Sequence, residues 1–274
     1  MVPTLFTNVP TNDRNDMRFT QVGTLPDFDE FNGTVTYPSL NQGYDTTMTP
    51  LEFVSGFQVE RKLFDDDQYH IMDQKPVSLG TSYNRTRQKH AARVFVNAFS
   101  VDIYFYVNTE NVALCSNSHT TTSGAATTNG FDNLGTTAMS ATAVASARIS
   151  MVGFRGDQAQ RVDIMPDELW YPPQLYETAW EIANAGGKLD VSTNNPNVHK
   201  GKYTLREWNY MSDANDWFLG DSTLRKQSLF WQDRIGLEFA YAEDLDTLVA
   251  KWRAYVRHGF AEVDWRWTFG SQVS

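Results

Sequence analysis

Residues Phe64–Ser100 read FDDDQYHIMDQKPVSLGTSYNRTRQKHAARVFVNAFS, and their periodicity constrains the rest of the chain. After Pro76, the residues Leu79, Tyr83, His90, Ala91, Val94, Ala98 and Phe99 recur at spacings of three and four. That spacing lines them along one side of a helix. The opposite side carries Arg85, Arg87, Lys89 and Arg93, a solvated or partner-facing stripe. Asp65, Asp66 and Asp67 precede the pattern, where acids oppose the positive end of a helix dipole. Pro76 and Gly80 predict a bend, or two helices in place of one straight rod. The stretch predicts roughly 20 to 25 helical residues ending near Phe99, about twice the usual length. Such a helix is a spine for other elements rather than an active site.

Upstream, residues 1–30 hold few periodic apolar positions and many Asn, Asp, Thr and Pro. They read as a disordered tail, or as an arm that orders against a neighbouring subunit. From Phe28 to Lys62 the text becomes strand-like. Thr34–Tyr37 is β-rich, Asn41-Gln42-Gly43 signals a turn, and Phe53-Val54 and Phe57–Val59 follow. A long two-stranded hairpin fits, and such a ribbon is marginal without something to lie on. A partner chain is the expected cover.

Downstream, Val101, Ile103, Phe105 and Val107 alternate with Asp102, Tyr104 and Tyr106, predicting a strand with one buried face. Residues 116–137 are small and polar, predicting a long, exposed, mobile loop. A helix is expected over Met139–Arg155, capped by Ser140, and another from Pro172-Pro173 to Ala185, stopped by Gly186-Gly187. Short strands are expected at Arg161–Met165, Leu169–Tyr171, Tyr203–Trp208 and Trp217–Leu219. Leu245, Leu248, Val249 and Trp252 have helical spacing, yet Ala250–Arg257 and Val263–Phe269 alternate. The alternation favours strand–turn–strand with Gly259 at the turn, the ribbon returning to the Val101–Val107 strand. On alternating strands Trp252, Trp265 and Trp267 are core residues before they are ligand-stacking ones.

Composition narrows the function. The 274 residues suit one large domain or two, and 41% hydrophobic content can bury a core. A net charge of −10 argues against a general nucleic-acid binder. No apolar run reaches the roughly 20 residues that span a bilayer. The N-terminal MVPTLFTNVPTNDRND lacks the regions of a signal peptide. The single cysteine, Cys115, excludes internal disulfides and multi-cysteine zinc sites. These features predict a soluble, intracellularly made α+β protein.

Few residues suggest chemistry. The Asp65–Asp67 carboxylates suit a hard cation by type, but consecutive residues rarely converge on one ion. Contact with a basic stripe on a neighbouring subunit explains them better. Cys115 and His119 raise a hydrolase reading, without a third orienting residue. His70, His90, His199 and His258 show no metal-ligand spacing, and the phosphate-loop, dinucleotide and nucleophile-elbow motifs are missing. No catalytic residue, cofactor or metal is assigned.

The order of parts, with RKLFDDD at Arg61–Asp67, AARVFVNAF at Ala91–Phe99, ALCSNSH at Ala113–His119, DELWYPP at Asp167–Pro173 and DWFL at Asp216–Leu219, resembles the major capsid protein, or major head subunit, of tailed bacteriophages. That family has the Hong Kong ninety-seven capsid fold, shared with encapsulin nanocompartments. The resemblance covers residues 28–274. It implies an N-terminal arm (1–30), an extended β-hairpin loop (28–62), a peripheral domain with the spine helix (63–110 and 245–274) and an axial domain (111–244). It implies an icosahedral shell of hexamers and pentamers enclosing double-stranded DNA without sequence-specific binding. Scaffold, portal and decoration proteins are the implied partners, the host cytoplasm the place of assembly and the virion the destination. Relatives that begin with a removable scaffolding segment differ from this sequence, so the scaffold is expected as a separate protein, as dispensable, or as already removed. Arg61, Lys62, Asp65, Asp66, Asp67, Arg85, Arg87, Lys89 and Arg93 are the candidate intersubunit contacts. The alternatives are a nanocompartment shell holding enzymes and the Cys115/His119 hydrolase. The shell reading takes the first sixty residues to lack a partner in their own molecule. Tight folding of arm and ribbon onto their own chain would count against it.

Overall fold

The chain is described by a computed structural model at residues 1–11, 14–25, 27–28, 30–35, 37, 42–66, 74–187, 196–244 and 246–273. Its helices are α1 (Val2–Leu5), α2 (Arg61–Asp65), α3 (Gln74–Val96), α4 (Ala141–Val152), α5 (Tyr176–Asn184) and α6 (Ser222–Ser228). Its strands are β1 (Thr7–Asn8), β2 (Met17–Val22), β3 (Gln42–Met48), β4 (Leu51–Glu60), β5 (Tyr106–Asn108), β6 (Leu134–Gly135), β7 (Glu168–Tyr171), β8 (Thr204–Glu207), β9 (Trp217–Gly220), β10 (Leu229–Asp244), β11 (Val249–Glu262) and β12 (Thr268–Ser271). They form three sheets among the described residues, ordered β1-β10-β11-β4, β6-β12-β9-β7-β8 and β2-β3-β5.

The spine is one helix of 23 residues, α3. Pro76 falls in its first turn, where a missing N–H is tolerated, so the expected break does not occur. The aspartates are also placed differently. Asp65 ends α2 and Asp66 follows it, away from the start of α3, while Asp67 lies outside the described residues. The helix buries the predicted face, with Leu79, Ala91, Val94 and Ala98 in the core beside Ala92 and Phe95. Phe95 carries the helix end into an aromatic cluster, with ring centroids 5.3 Å from Trp170, 4.8 Å from Phe218 and 6.1 Å from Trp267. Trp265 and Trp267 are core residues, as expected, but not on an alternating strand. They lie in a 3-10 turn, Trp265–Trp267, whose Arg266 is buried too, and strand β12 begins only at Thr268. Trp252 is only partly buried.

Strands β7, β9 and β12 of the five-stranded sheet are buried on both faces. That is why WFLG in β9 and LWY in β7 read as apolar runs, with Glu168 of β7 paired to Arg225. Helix α4 packs on β9 and β12, and α5 on β7 and β8. Ser140 caps α4 by accepting from the Ala143 N–H at 3.1 Å, as expected. Asp221 caps α6 through the Thr223 and Leu224 N–H groups at 2.8 and 3.1 Å. Residues 161–165 form an isolated bridge at Arg155 and Arg161 rather than a strand.

The other large sheet is a ribbon. β10 and β11 pair antiparallel from Leu229↔Glu262 to Asp244↔Val249, and β4 lies along the far side of β11. With 16 residues, β10 reaches roughly 50 Å at the usual rise per residue. This sheet joins both ends of the chain, as expected, but through β1 and β4 instead of a Val101–Val107 strand. Only Tyr106–Asn108 is strand there, and Val101, Ile103 and Val107 are exposed. Gly259 is not a turn. β11 runs straight through it, and a Cβ there would lie 3.1 Å from Pro50 Cα, so the glycine permits close backbone approach.

The expected hairpin within 28–62 is relocated. β3 pairs with β2 from Met17↔Met48 to Val22↔Gln42, while β4 leaves for the ribbon. Thr34, Val35 and Tyr37 are not in a strand, and Thr36 and Asn41 lie outside the described residues. The N-terminus also differs from a loose arm. Val2, Leu5 and Phe6 are buried, and Phe6 packs 5.3 Å from Trp231 and 5.4 Å from Phe260. The claim that the first sixty residues lack a partner in their own chain is therefore too broad. It fails for residues 1–8, for the paired strands and for Thr24, which Gln160 Nε2 hydrogen-bonds. In the connection between β2 and β3 the described apolar residues Leu25, Phe28, Phe31, Val35 and Tyr37 are exposed.

Candidate assembly surfaces

That connection is the first surface. Val22, Leu25, Phe28, Phe31, Val35 and Tyr37 are all exposed, Phe31 at 71%. Exposed apolar side chains are costly in water at about 25 cal/mol per Å², and a set of this size on one segment points to an interaction site. The stretch is also one-signed. Residues 19–60 contain no Lys, Arg or His, and Asp27, Asp29 and Glu30 lie among the aromatics. Acids flank Phe28 and Phe31 in the sequence, and Asp27 and Glu30 are exposed with them.

The second surface is the outer side of α3. From residue 74 to 101 there is no Asp or Glu, against five Lys and Arg. Two of the predicted contact residues are engaged within the chain. Arg87 donates to Asp233 at 2.6 Å and stacks over Trp231 at 5.3 Å. Arg93 grips Asp102 through two hydrogen bonds, 3.0 and 2.7 Å, and lies over Tyr104 at 4.4 Å. Arg85 and Lys89 remain exposed, without an acidic partner among the described residues. Beside them an open groove of about 330 Å³ runs between helix and ribbon, lined by the apolar Phe53, Val54, Leu79, Leu237, Ala254 and Val256 and by Tyr83, Ser55, Ser82, Thr86 and the acid Glu52.

The third surface is the ribbon tip, where α2 lies against the end of β4. Arg61 faces Asp65 and Glu243 at 3.6 Å each, and Lys251 faces Asp244 at 3.5 Å. Solvent screens these exposed pairs, so they add little to stability. Lys62 and Asp66 are exposed beside them. Above the tip's base, Phe57, Trp252 and Tyr241 form an aromatic ladder, with Phe57 stacked on Trp252 at 5.0 Å and Tyr241 also 5.0 Å from it.

The hydrolase candidates form no reactive site. Cys115 is 2% exposed, and burial, reinforced by Glu262, pushes its thiol well above the ordinary value, away from the nucleophilic thiolate. The β12 backbone sits against it, since a Cβ on Gly270 would meet Sγ at 2.6 Å. His119 is buried, stacked on Trp265 at 4.2 Å, with Nδ1 3.2 Å from Glu110 and Nε2 3.3 Å from the Leu114 carbonyl. Its segment is anchored rather than loose. Phe131 and Asn133 are buried, and Asn133 donates to the Leu114 and Thr268 carbonyls at 2.8 and 3.1 Å. His70 lies outside the described residues.

The comparisons agree with this architecture. A family described as phage capsid protein matches residues 43–269. The fold is similar to the capsid of cyanophage P-SCSP1u, at 16% identity and a TM-score of 0.62, over 99% of this chain and 87% of that one. It is similar to the capsid of a native GTA particle at 11% identity and 0.62, over 99% and 89%. A chain of Mycobacterium phage Patience matches at 8% identity and 0.62, over 99% and 82%. At such identities the likeness concerns fold alone. No curated protein matches the chain. With most of its length matched by the family and its helix-and-sheet architecture of the Hong Kong ninety-seven type, this chain belongs to the phage capsid protein family.

Proposed function

We propose that the chain is the major subunit of a tailed-phage head, building an icosahedral shell of hexamers and pentamers around double-stranded DNA. It acts by assembly and not by catalysis. The observation that carries this reading is the segregation of charge and apolar surface between two parts of one chain. The described apolar residues of the acidic connection after β2, Leu25, Phe28, Phe31, Val35 and Tyr37, are exposed, while the outer side of α3 offers Arg85 and Lys89 beside a largely apolar groove. Docking the first onto the second in a neighbouring copy buries both and satisfies both signs. Ordering the connection is then driven by assembly rather than by folding.

In this reading the remaining candidates, Arg61, Lys62, Asp65, Asp66 and Asp67, meet neighbours through the ribbon tip, and Arg87 and Arg93 hold the spine for that contact. Residues 63–110 and 245–274 form the peripheral part, and 111–244 the axial part. The net charge of −10 suits a wall that does not grip packaged DNA tightly. Scaffold and portal proteins, and decoration proteins where present, complete the head in the host cytoplasm.

The test is a charge exchange followed by electron microscopy. R85E/K89E and D27K/E30K variants are each expected to lose shells, and an equal mixture of the two to regain them. DNA-filled shells favour the phage head, and shells filled with protein favour a nanocompartment. Normal shells from either variant alone overturn the docking.

A further inference from the structure

Asparagine followed by glycine occurs twice in the chain, at Asn32-Gly33 and at Asn129-Gly130. Such a pair carries a latent reaction. The glycine backbone nitrogen attacks the asparagine Cγ, ammonia leaves, and a five-membered succinimide closes. Water then opens the ring at either carbonyl, giving aspartate or isoaspartate. One water is consumed and one ammonia released, with no oxidant or reductant. Closure needs the glycine nitrogen to swing onto its neighbour's side chain, so the fold decides which pair reacts. Glycine permits that swing because it has no Cβ to obstruct it.

At Asn32-Gly33 nothing opposes it. Both residues are exposed and lie outside any helix or strand. Neither the Asn32 side chain nor the Gly33 N–H hydrogen-bonds to another described residue. Gly33 has φ 100°, and a Cβ built there would find no atom within 4 Å. The second pair is packed instead. The Gly130 carbonyl accepts from the Arg155 N–H at 3.0 Å. A Cβ on Gly130 would lie 2.4 Å from the Gly153 carbonyl oxygen and 2.8 Å from Arg155 Cγ. Phe131, the next residue, is fully buried. Rotation at Gly130 would have to displace the C-terminal cap of α4, Gly153.

We infer that Asn32 is a self-modifying site, converting to aspartate or isoaspartate in subunits outside a shell while Asn129 stays intact. The product adds a negative charge to a segment where Asp27 and Glu30 are already exposed. The isoaspartate branch also lengthens the main chain by one carbon between Phe31 and Gly33. The site's fate within a shell rests on the docking proposed above, which covers this segment and slows the reaction. A subunit's charge at residue 32 then records how long it has waited unassembled.

Tryptic mapping by mass spectrometry separates the two sites, because Asn32 falls in the peptide Phe19–Arg61 and Asn129 in Val94–Arg148. Unassembled protein incubated at neutral pH is expected to convert Asn32 at least tenfold faster than Asn129. Guanidinium-unfolded protein, in which both pairs are free, converts them at similar rates. N32Q removes the isoaspartate signal from the first peptide. Equal conversion of the two sites in the folded, unassembled protein, or a signal that persists in N32Q, overturns the inference and leaves the shell reading standing. Conversion of Asn32 in closed shells as fast as in unassembled protein contradicts the docking and leaves the reactive site standing.

Discussion

His90 Nδ1 and His258 Nε2 lie 2.9 Å apart, joining the spine helix to the base of the ribbon. Phe53 covers both rings, at 4.4 and 4.7 Å, and Trp231 stacks on His258 at 5.0 Å. Burial lowers His90 to about 4, helped by Arg93, and lowers His258 to about 3, helped by His90 and Arg87. Both rings are therefore neutral in the fold. The unfolded chain takes up protons below about 6.5 and the folded chain does not. Stability from this pair is full above pH 6.5 and falls as pH drops toward 4 and 3. Denaturant unfolding of H90Q/H258Q across pH 7 to 4 is expected to show a shallower decline than wild type. An identical slope contradicts the assignment.

Glu262 makes the opposite prediction. It is buried, accepts from Tyr106 O–H at 3.0 Å, and burial pushes its carboxyl up to about 8 despite that bond. The fold holds a neutral acid where the unfolded chain holds a carboxylate. Its contribution is full below about 4.5 and is lost as pH rises through 8. E262Q stays neutral, so its melting temperature relative to wild type rises between pH 6 and 9. A difference that does not change with pH refutes a protonated Glu262.

Arg225 fastens the N-terminus. It meets Glu168 through Nε at 2.7 Å and Nη2 at 3.0 Å, and Nη1 donates to the carbonyls of Thr4, at 2.8 Å, and Leu5. Removing one partner strands a buried charge, so Arg225→Ala is expected to cost about 3–5 kcal/mol in urea unfolding. It also exposes residues 1–8 to proteolysis. Lysine, lacking the forked donor set, restores only part of the loss. Undiminished protease resistance in Arg225→Ala contradicts the clasp.

The helices were legible because their apolar residues keep a period near 3.6, as at Leu79–Ala98, and because Ser140 and Gly186 mark ends. The ribbon was legible only in part. β10 went unread because its register shifts between Asp233 and Ile235 and again between Ile235 and Glu238, which breaks the alternation of LFWQDRIGLEFAYAED. Val101–Val107 misled for the opposite reason: perfect alternation, with Phe105 buried and Val101, Ile103 and Val107 in solvent. The N-terminal clasp depends on Arg225, more than two hundred residues away, a pairing no local pattern announces. The contact surfaces were readable as charge on α3, but which arginines are free was settled by Asp102 and Asp233.

The central claim is that the connection between β2 and β3 is covered by a neighbouring copy. Hydrogen–deuterium exchange over residues 22–37, in unassembled protein and in purified particles, tests it most directly. The account predicts fast exchange in the unassembled protein and at least tenfold slower exchange in closed shells, with protection appearing at Leu79–Lys89 as well. Equal exchange in both states, or a chain that stays monomeric at high concentration with scaffold supplied, contradicts it.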